Sequence, residues 1–119
     1  MLAKNFSSEE LQCKCGCSEL KFDANLVKML QRLRDYLDAP VIVTSGYRCK
    51  KHNKAVEGVE NSYHTLGMAS DIYVKGVSVD ELAKLCILCG FTGVGLYRKK
   101  GFVHVDVRKG VNEAVVFYG

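Results

Sequence analysis

The chain has 119 residues, 48% of them hydrophobic and 25% charged, with a formal charge of +4. That length suits a single domain over residues 1–119 and leaves no room for a second. The composition is that of an ordinary globular protein, and no stretch approaches the ~20 apolar residues of a membrane-spanning helix, which excludes membrane insertion.

The positive charge is dispersed, with small groups at Arg48-Cys49-Lys50-Lys51 and Arg98-Lys99-Lys100. Such groups read either as solvated loops or as steering toward a polyanion such as a bacterial wall. A nucleic-acid partner would call for a denser basic face with stacking aromatics, and none is visible. The opening MLAKNFSSEELQ lacks the apolar stretch of a secretory signal. The expectation is synthesis in the bacterial cytosol and, for an enzyme of the wall, release by lysis, as with a phage enzyme. Nothing in the chain fixes an oligomeric state.

In chain order, Ser7-Ser8-Glu9-Glu10-Leu11 reads as a capping box opening a short helix. Asp23 caps a longer one, in which Leu26, Met29, Leu30, Leu33 and Leu37 recur at helical spacing. Asp38-Ala39-Pro40 stops it. Val41–Thr44 reads as a short buried strand, and Ser45–Gly67 as one long polar loop, a length that usually signals function. A strand over Ala69–Val74 follows. Next comes a helix capped by Ser78 with Glu81 and stopped by Gly90. Strands at Gly93–Tyr97 and Phe102–Val107 flank a turn at Arg98–Gly101, and a last strand covers Ala114–Tyr118. The pattern predicts an α+β fold, its mostly antiparallel sheet covered by helices on one face and carrying a cleft on the other.

Six cysteines are many for this length. Cys86 and Cys89 share a helix face and read as small buried apolar residues. Cys13, Cys15 and Cys17 form a tight cluster that leaves three readings open: a structural zinc site with Cys49, a disulfide, or reduced thiols. Their spacing is tighter than that of the usual zinc ribbons.

The chemistry concentrates in His64, Asp71 and His104. The segment Phe102-Val103-His104-Val105-Asp106-Val107-Arg108 alternates strictly, so the valines face the core while Phe102, His104, Asp106 and Arg108 share the other face. Two imidazoles and one carboxylate make a three-ligand set that leaves one zinc position for water, the arrangement of a catalytic rather than a structural zinc. Zinc lowers the pKa of bound water to about 7 and polarises a carbonyl. The competing reading is an ordinary hydrogen-bonded histidine in a strand.

Taken together, Ser45-Gly46-Tyr47-Arg48, Asn53, Gly58, Ser62-Tyr63-His64-Thr65-Leu66-Gly67-Met68-Ala69-Ser70-Asp71-Ile72 and His104-Val105-Asp106 resemble the D-Ala-D-Ala carboxypeptidase family of zinc peptidases. Ser62, His64, Gly67, Ala69 and Asp71 match the fixed positions of its Ser-x-His-x-x-Gly-x-Ala-x-Asp pattern. The resemblance runs from about Asn5 to Arg108 and is greatest to the short, single-domain branch. It implies Zn2+ held by His64, Asp71 and His104, and a peptide of bacterial peptidoglycan as substrate. It also implies that Arg48 grips a substrate carboxylate or carbonyl, which suits the guanidinium fork. Ser62 then either bonds substrate or braces its loop, and His52 is a loop residue rather than a ligand.

One position departs from the family pattern. Several members carry the general base three residues before the last histidine, and Gly101 stands there. Asp106 is the nearest substitute, as a base or as an orienter of a zinc-bound histidine. Tyr97 is a candidate to stabilise the oxyanion, against a plain packing role. The resemblance therefore supports a metallopeptidase. It leaves open a non-catalytic wall-binding module on the same scaffold, as the hedgehog signalling domain shares this fold with little evident peptidase chemistry. Carboxypeptidase, dipeptidase and endopeptidase are not separated by these residues.

Overall fold

The computed structural model describes residues 2–17, 19–56, 58 and 62–119. The two capping signals near the N-terminus act as their chemistry requires. Ser7 accepts from the Glu10 N–H, and the Glu10 carboxylate takes the Ser7 N–H at 3.1 Å, opening α1 (Ser8–Leu11). Asp23 accepts the Asn25 N–H at 2.8 Å and opens α2 (Ala24–Leu37). Leu26, Val27, Leu30 and Leu33 form the buried stripe of α2, while Met29 and Leu37 only lean on the core. The helix ends on Asp38 in a left-handed conformation, φ 47°, ahead of Pro40.

Five strands follow: β1 (Ile42–Ser45), β2 (Ala69–Tyr73), β3 (Gly93–Tyr97), β4 (Phe102–Asp106) and β5 (Val115–Tyr118). Their order across the sheet is β1-β2-β4-β3-β5. All pairings are antiparallel except β3 with β5, which is parallel. Ile72, Val94, Leu96, Val103 and Val105 face one way and pack with Leu30 and Leu33 of α2 and with Leu82 and Cys86 of α4 (Val79–Cys89). Cys86 and Cys89 are buried apolar fillers, and burial pushes the Cys86 thiol far up. The architecture is a small compact α+β domain with one helix-covered sheet face.

Two elements differ from the sequence expectation. β1 is an edge strand and only half buried; Val41, just before it, is the residue that enters the core. With a neighbouring strand on one side only, its side chains have fewer flanking residues to cover them. The stretch from Ser45 to Gly67 is not one loop. It contains α3 (Lys50–Ala55) and a 3₁₀ turn (Tyr63–Leu66). α3 has no apolar period to reveal it, since Asn53 is its only buried residue, and it starts where the Cys49 thiol accepts the His52 N–H. Gly67 closes the 3₁₀ turn at φ 71°, and a side chain there would strike the Lys21 and Phe22 backbone.

Candidate active site

The site is built on one rung that crosses the whole sheet. Ser45 of β1 pairs with Asp71 of β2, Asp71 with His104 of β4, His104 with Gly95 of β3, and Gly95 with Phe117 of β5. Residues opposite one another across strands share a face, so the register alone places Asp71 and His104 side by side. The strand alternation that sends Val103 and Val105 into the core turns Phe102, His104 and Asp106 toward the other side. His64 reaches the same point from the 3₁₀ turn, whose first N–H groups are capped by Ser62 through a 3.2 Å bond to the His64 amide.

The three donor atoms converge. His64 Nε2 lies 3.2 Å and His104 Nδ1 3.3 Å from Asp71 Oδ1. All three residues are buried, and their ligand atoms lie within 4.8 Å of one another. The outward nitrogen of each imidazole meets an acceptor: His64 Nδ1 the Gly46 carbonyl at 2.8 Å, and His104 Nε2 the Asp106 carboxylate at 2.7 Å. A carbonyl can only accept, so Nδ1 of His64 carries a proton, and in the neutral imidazole Nε2 then presents a lone pair inward. The Asp106 carboxylate acts in the same way on His104. Two inward lone pairs and a carboxylate oxygen a little over 3 Å apart repel unless a proton or a cation lies among them. At His104 burial disfavours the imidazolium, but Asp106 and Asp71 outweigh it and raise the pKa. Burial likewise opposes the Asp71 charge, and the two histidines overcome it and hold that carboxyl below its usual range. Imidazole and carboxylate donors with fixed outer hydrogen bonds are the set that suits zinc.

Asp106 is fully buried and saturated. Beyond His104, its two oxygens take Arg108 Nε at 2.8 Å, Arg108 Nη2 at 2.7 Å and the Arg108 N–H at 3.1 Å. Burial works against its charge, yet Arg108 and His104 hold its pKa down at about 2. Gly93, its cross-strand neighbour, makes room: a Cβ there would overlap the carboxylate. Arg108 in turn lies over the Tyr63 ring at 4.6 Å and near Phe117 at 5.6 Å. Arg108, Tyr63, Phe117 and Gly93 were not singled out as site residues from the sequence. The strand alternation placed Arg108 on the right face, but the approach of Tyr63 and β5 is a tertiary fact.

Arg48 lies at the rim beside Asp71. Three of its five N–H donors go to Ser45 Oγ at 3.1 Å, Asn53 Oδ1 at 3.2 Å and Asp71 Oδ2 at 3.3 Å. Ser62 and Tyr97 line the cleft with it, and Tyr97 stacks on Phe102 with ring centroids 4.5 Å apart. Burial, followed by the nearby Asp71 charge, pushes the Tyr97 hydroxyl pKa up, so it stays protonated. The cleft has a volume of about 430 Å³, and Lys100, Phe102 and Phe117 also line it. Among the described residues, Asp71 is the one carboxylate lining it.

Residues 4–106 match the profile of the family described as Peptidase M15. The peptidoglycan L,D-endopeptidase MepK of Escherichia coli strain K12 is 33% identical over 91 residues, covering 71% of this chain and 50% of that protein. A probable peptidoglycan L,D-endopeptidase MepK of Haemophilus influenzae is 32% identical over 94 residues, covering 72% of this chain and 50% of that protein. The chain thus spans about half the length of these relatives. With the matched segment running from α1 through the histidine of β4, the chain belongs to the peptidase M15 family.

Proposed function

We propose that the chain is a zinc-dependent peptidase that hydrolyses a peptide bond in bacterial peptidoglycan, with L,D bonds of the stem peptides or cross-links as first candidates. The observation that carries this reading is the convergence of His64 Nε2, Asp71 Oδ1 and His104 Nδ1, each imidazole locked by an acceptor on its outer nitrogen. The relatives' activity on peptidoglycan supports the choice of substrate.

These three residues would hold the ion. When bound, zinc supplies Lewis acidity for a peptide carbonyl and lowers the pKa of water toward ~7. The chain's own residues do the rest. Asp106 keeps the Nε2 proton of His104 in place and so aims Nδ1 inward. It is a positioning residue rather than a base, because its lone pairs are taken and a group titrating near 2 is a poor proton acceptor at neutral pH. Arg48 holds Asp71 with one arm and offers its remaining N–H donors to a substrate carboxylate or carbonyl. Tyr97, kept protonated, donates toward the oxygen that gains charge as the carbonyl is attacked. Ser62 fixes the turn that carries His64.

A second reading has one observation behind it. Gly101 occupies the position of the usual base, and Asp71 is the one carboxylate lining the cleft among the described residues. On that reading the protein binds zinc and wall peptides without turnover. One experiment separates the two: zinc-loaded protein is incubated with purified peptidoglycan, and the products are identified by mass spectrometry. The peptidase reading predicts new amino termini, lost in His64→Ala together with the ion of the cleft. Zinc retention and wall binding with no new termini would leave only the binding module.

A further inference from the structure

A second cluster of metal-ligating side chains lies outside the cleft. Cys13, Cys15, Cys17 and Cys49 are free thiols whose sulfur atoms all lie within 4.8 Å of one another. Cys13 Sγ is 3.4 Å from Cys15 Sγ and 3.6 Å from Cys49 Sγ, and Cys15 and Cys49 are 3.7 Å apart. A tetrahedron of four thiolates around zinc, with Zn–S bonds of ~2.3 Å, has edges of about 3.8 Å. These three separations match one face of such a tetrahedron, slightly contracted, and the Cys17 sulfur lies within 4.8 Å of the other three.

The backbone supports the same reading. The Cys49 N–H points at Cys13 Sγ at 3.4 Å, and the His52 N–H at Cys49 Sγ at 3.4 Å. Such N–H groups stabilise thiolate charge. Gly16, at φ 96°, lets the Cys-Lys-Cys-Gly-Cys segment curl so that alternate residues face inward, and the Cys13 N–H to Glu19 carbonyl bond of 2.8 Å closes the loop behind it.

We infer that Cys13, Cys15, Cys17 and Cys49 form a closed, four-thiolate structural zinc site. It is distinct in chemistry from the three-ligand site of the cleft, since it keeps no position for water. Its mechanical effect follows from its neighbours. Cys13 and Cys49 are 36 residues apart, and Cys49 directly follows Arg48. The site staples the N-terminal arm to the wall of the cleft beside the Tyr47 N–H to Leu11 carbonyl bond of 2.8 Å, and so holds the backbone from which Arg48 reaches Asp71.

The test uses the full chain, purified under reducing conditions and loaded with zinc or cobalt(II). Zinc per chain is counted for wild type, for the His64→Ala/His104→Ala double variant and for the Cys15→Ser/Cys17→Ser double variant. The expectation is two ions in wild type and one in each variant. The ion left in the histidine variant should be released by a mercurial thiol reagent. That variant, loaded with cobalt, should show the thiolate-to-metal charge-transfer band in the near ultraviolet, and the serine variant should lack it. Should the serine variant fail to fold, the cobalt spectrum of the histidine variant decides alone. A histidine variant with no bound metal and four reagent-accessible thiols would overturn the proposal. So would a disulfide among these four cysteines in the protein as isolated.

Discussion

Replacing Asp106 by asparagine removes one charge with almost no change of shape, at a position where every lone pair is in use. The side chain is fully buried, and its oxygens serve His104 and three donors of Arg108. An amide keeps one acceptor and turns an NH2 group toward either His104 Nε2 or Arg108. If it faces His104, the imidazole must move its proton to Nδ1, the nitrogen aimed at Asp71, and that nitrogen ceases to be a ligand. Loss of such an outer hydrogen bond costs about 10–100-fold in metal affinity, or about 1.4–2.7 kcal/mol. Arg108 also loses its counter-charge. Breaking a buried pair costs ~3–5 kcal/mol, and about 3 kcal/mol is expected here because the Arg108 side chain keeps 18% exposure. Against a total stability of roughly 5–15 kcal/mol the variant still folds. Competition with a chromophoric chelator measures the zinc affinity, and urea unfolding the stability. Wild-type zinc affinity together with hydrolysis slowed more than about 100-fold would refute the positioning role and make Asp106 a participant in proton transfer.

Gly93→Ala pushes a Cβ into the Asp106 carboxylate, so a loss of about 1–3 kcal/mol is expected as a lower urea midpoint, with zinc binding weakened in parallel. Ser70 Oγ is buried on the core face with no hydrogen-bond partner among the described residues. Ser70→Ala should therefore leave the urea midpoint within about 0.5 kcal/mol of wild type or raise it, and a loss above about 1 kcal/mol would show that the hydroxyl is satisfied. Chelation should abolish hydrolysis and lower the melting temperature, with both restored by zinc; at 100 times the dissociation constant, one site contributes about 2.7 kcal/mol.

Much of the fold and the site was legible in the residues. The alternation of Phe102 to Arg108 gave both the core face and the site face of β4, because a strand's side chains have a period of two. The capping residues Ser7, Asp23 and Ser78 marked helix starts because each side chain accepts a backbone N–H in the first turn. What was not legible depended on register and approach. That Asp71 and His104 stand directly opposite is a property of the β2–β4 pairing, which no local pattern encodes. β5 runs parallel to β3, so Phe117 arrives beside His104 from a segment with no chemical signal of its own. α3 lies in a polar stretch with nothing to bury but Asn53. The sequence offered Cys49 as one possible partner of the Cys13–Cys17 cluster, and the tertiary path between them brings the two together.

Binding of one divalent ion by His64, Asp71 and His104 through named atoms underlies the proposed chemistry. Anomalous scattering from zinc-loaded crystals at the zinc absorption edge tests it most directly. A peak is expected among His64 Nε2, Asp71 Oδ1 and His104 Nδ1, at about 2.0–2.2 Å from each. Density at the cysteine cluster with none between these three side chains, or an ion bound through the opposite ring nitrogens, would contradict it.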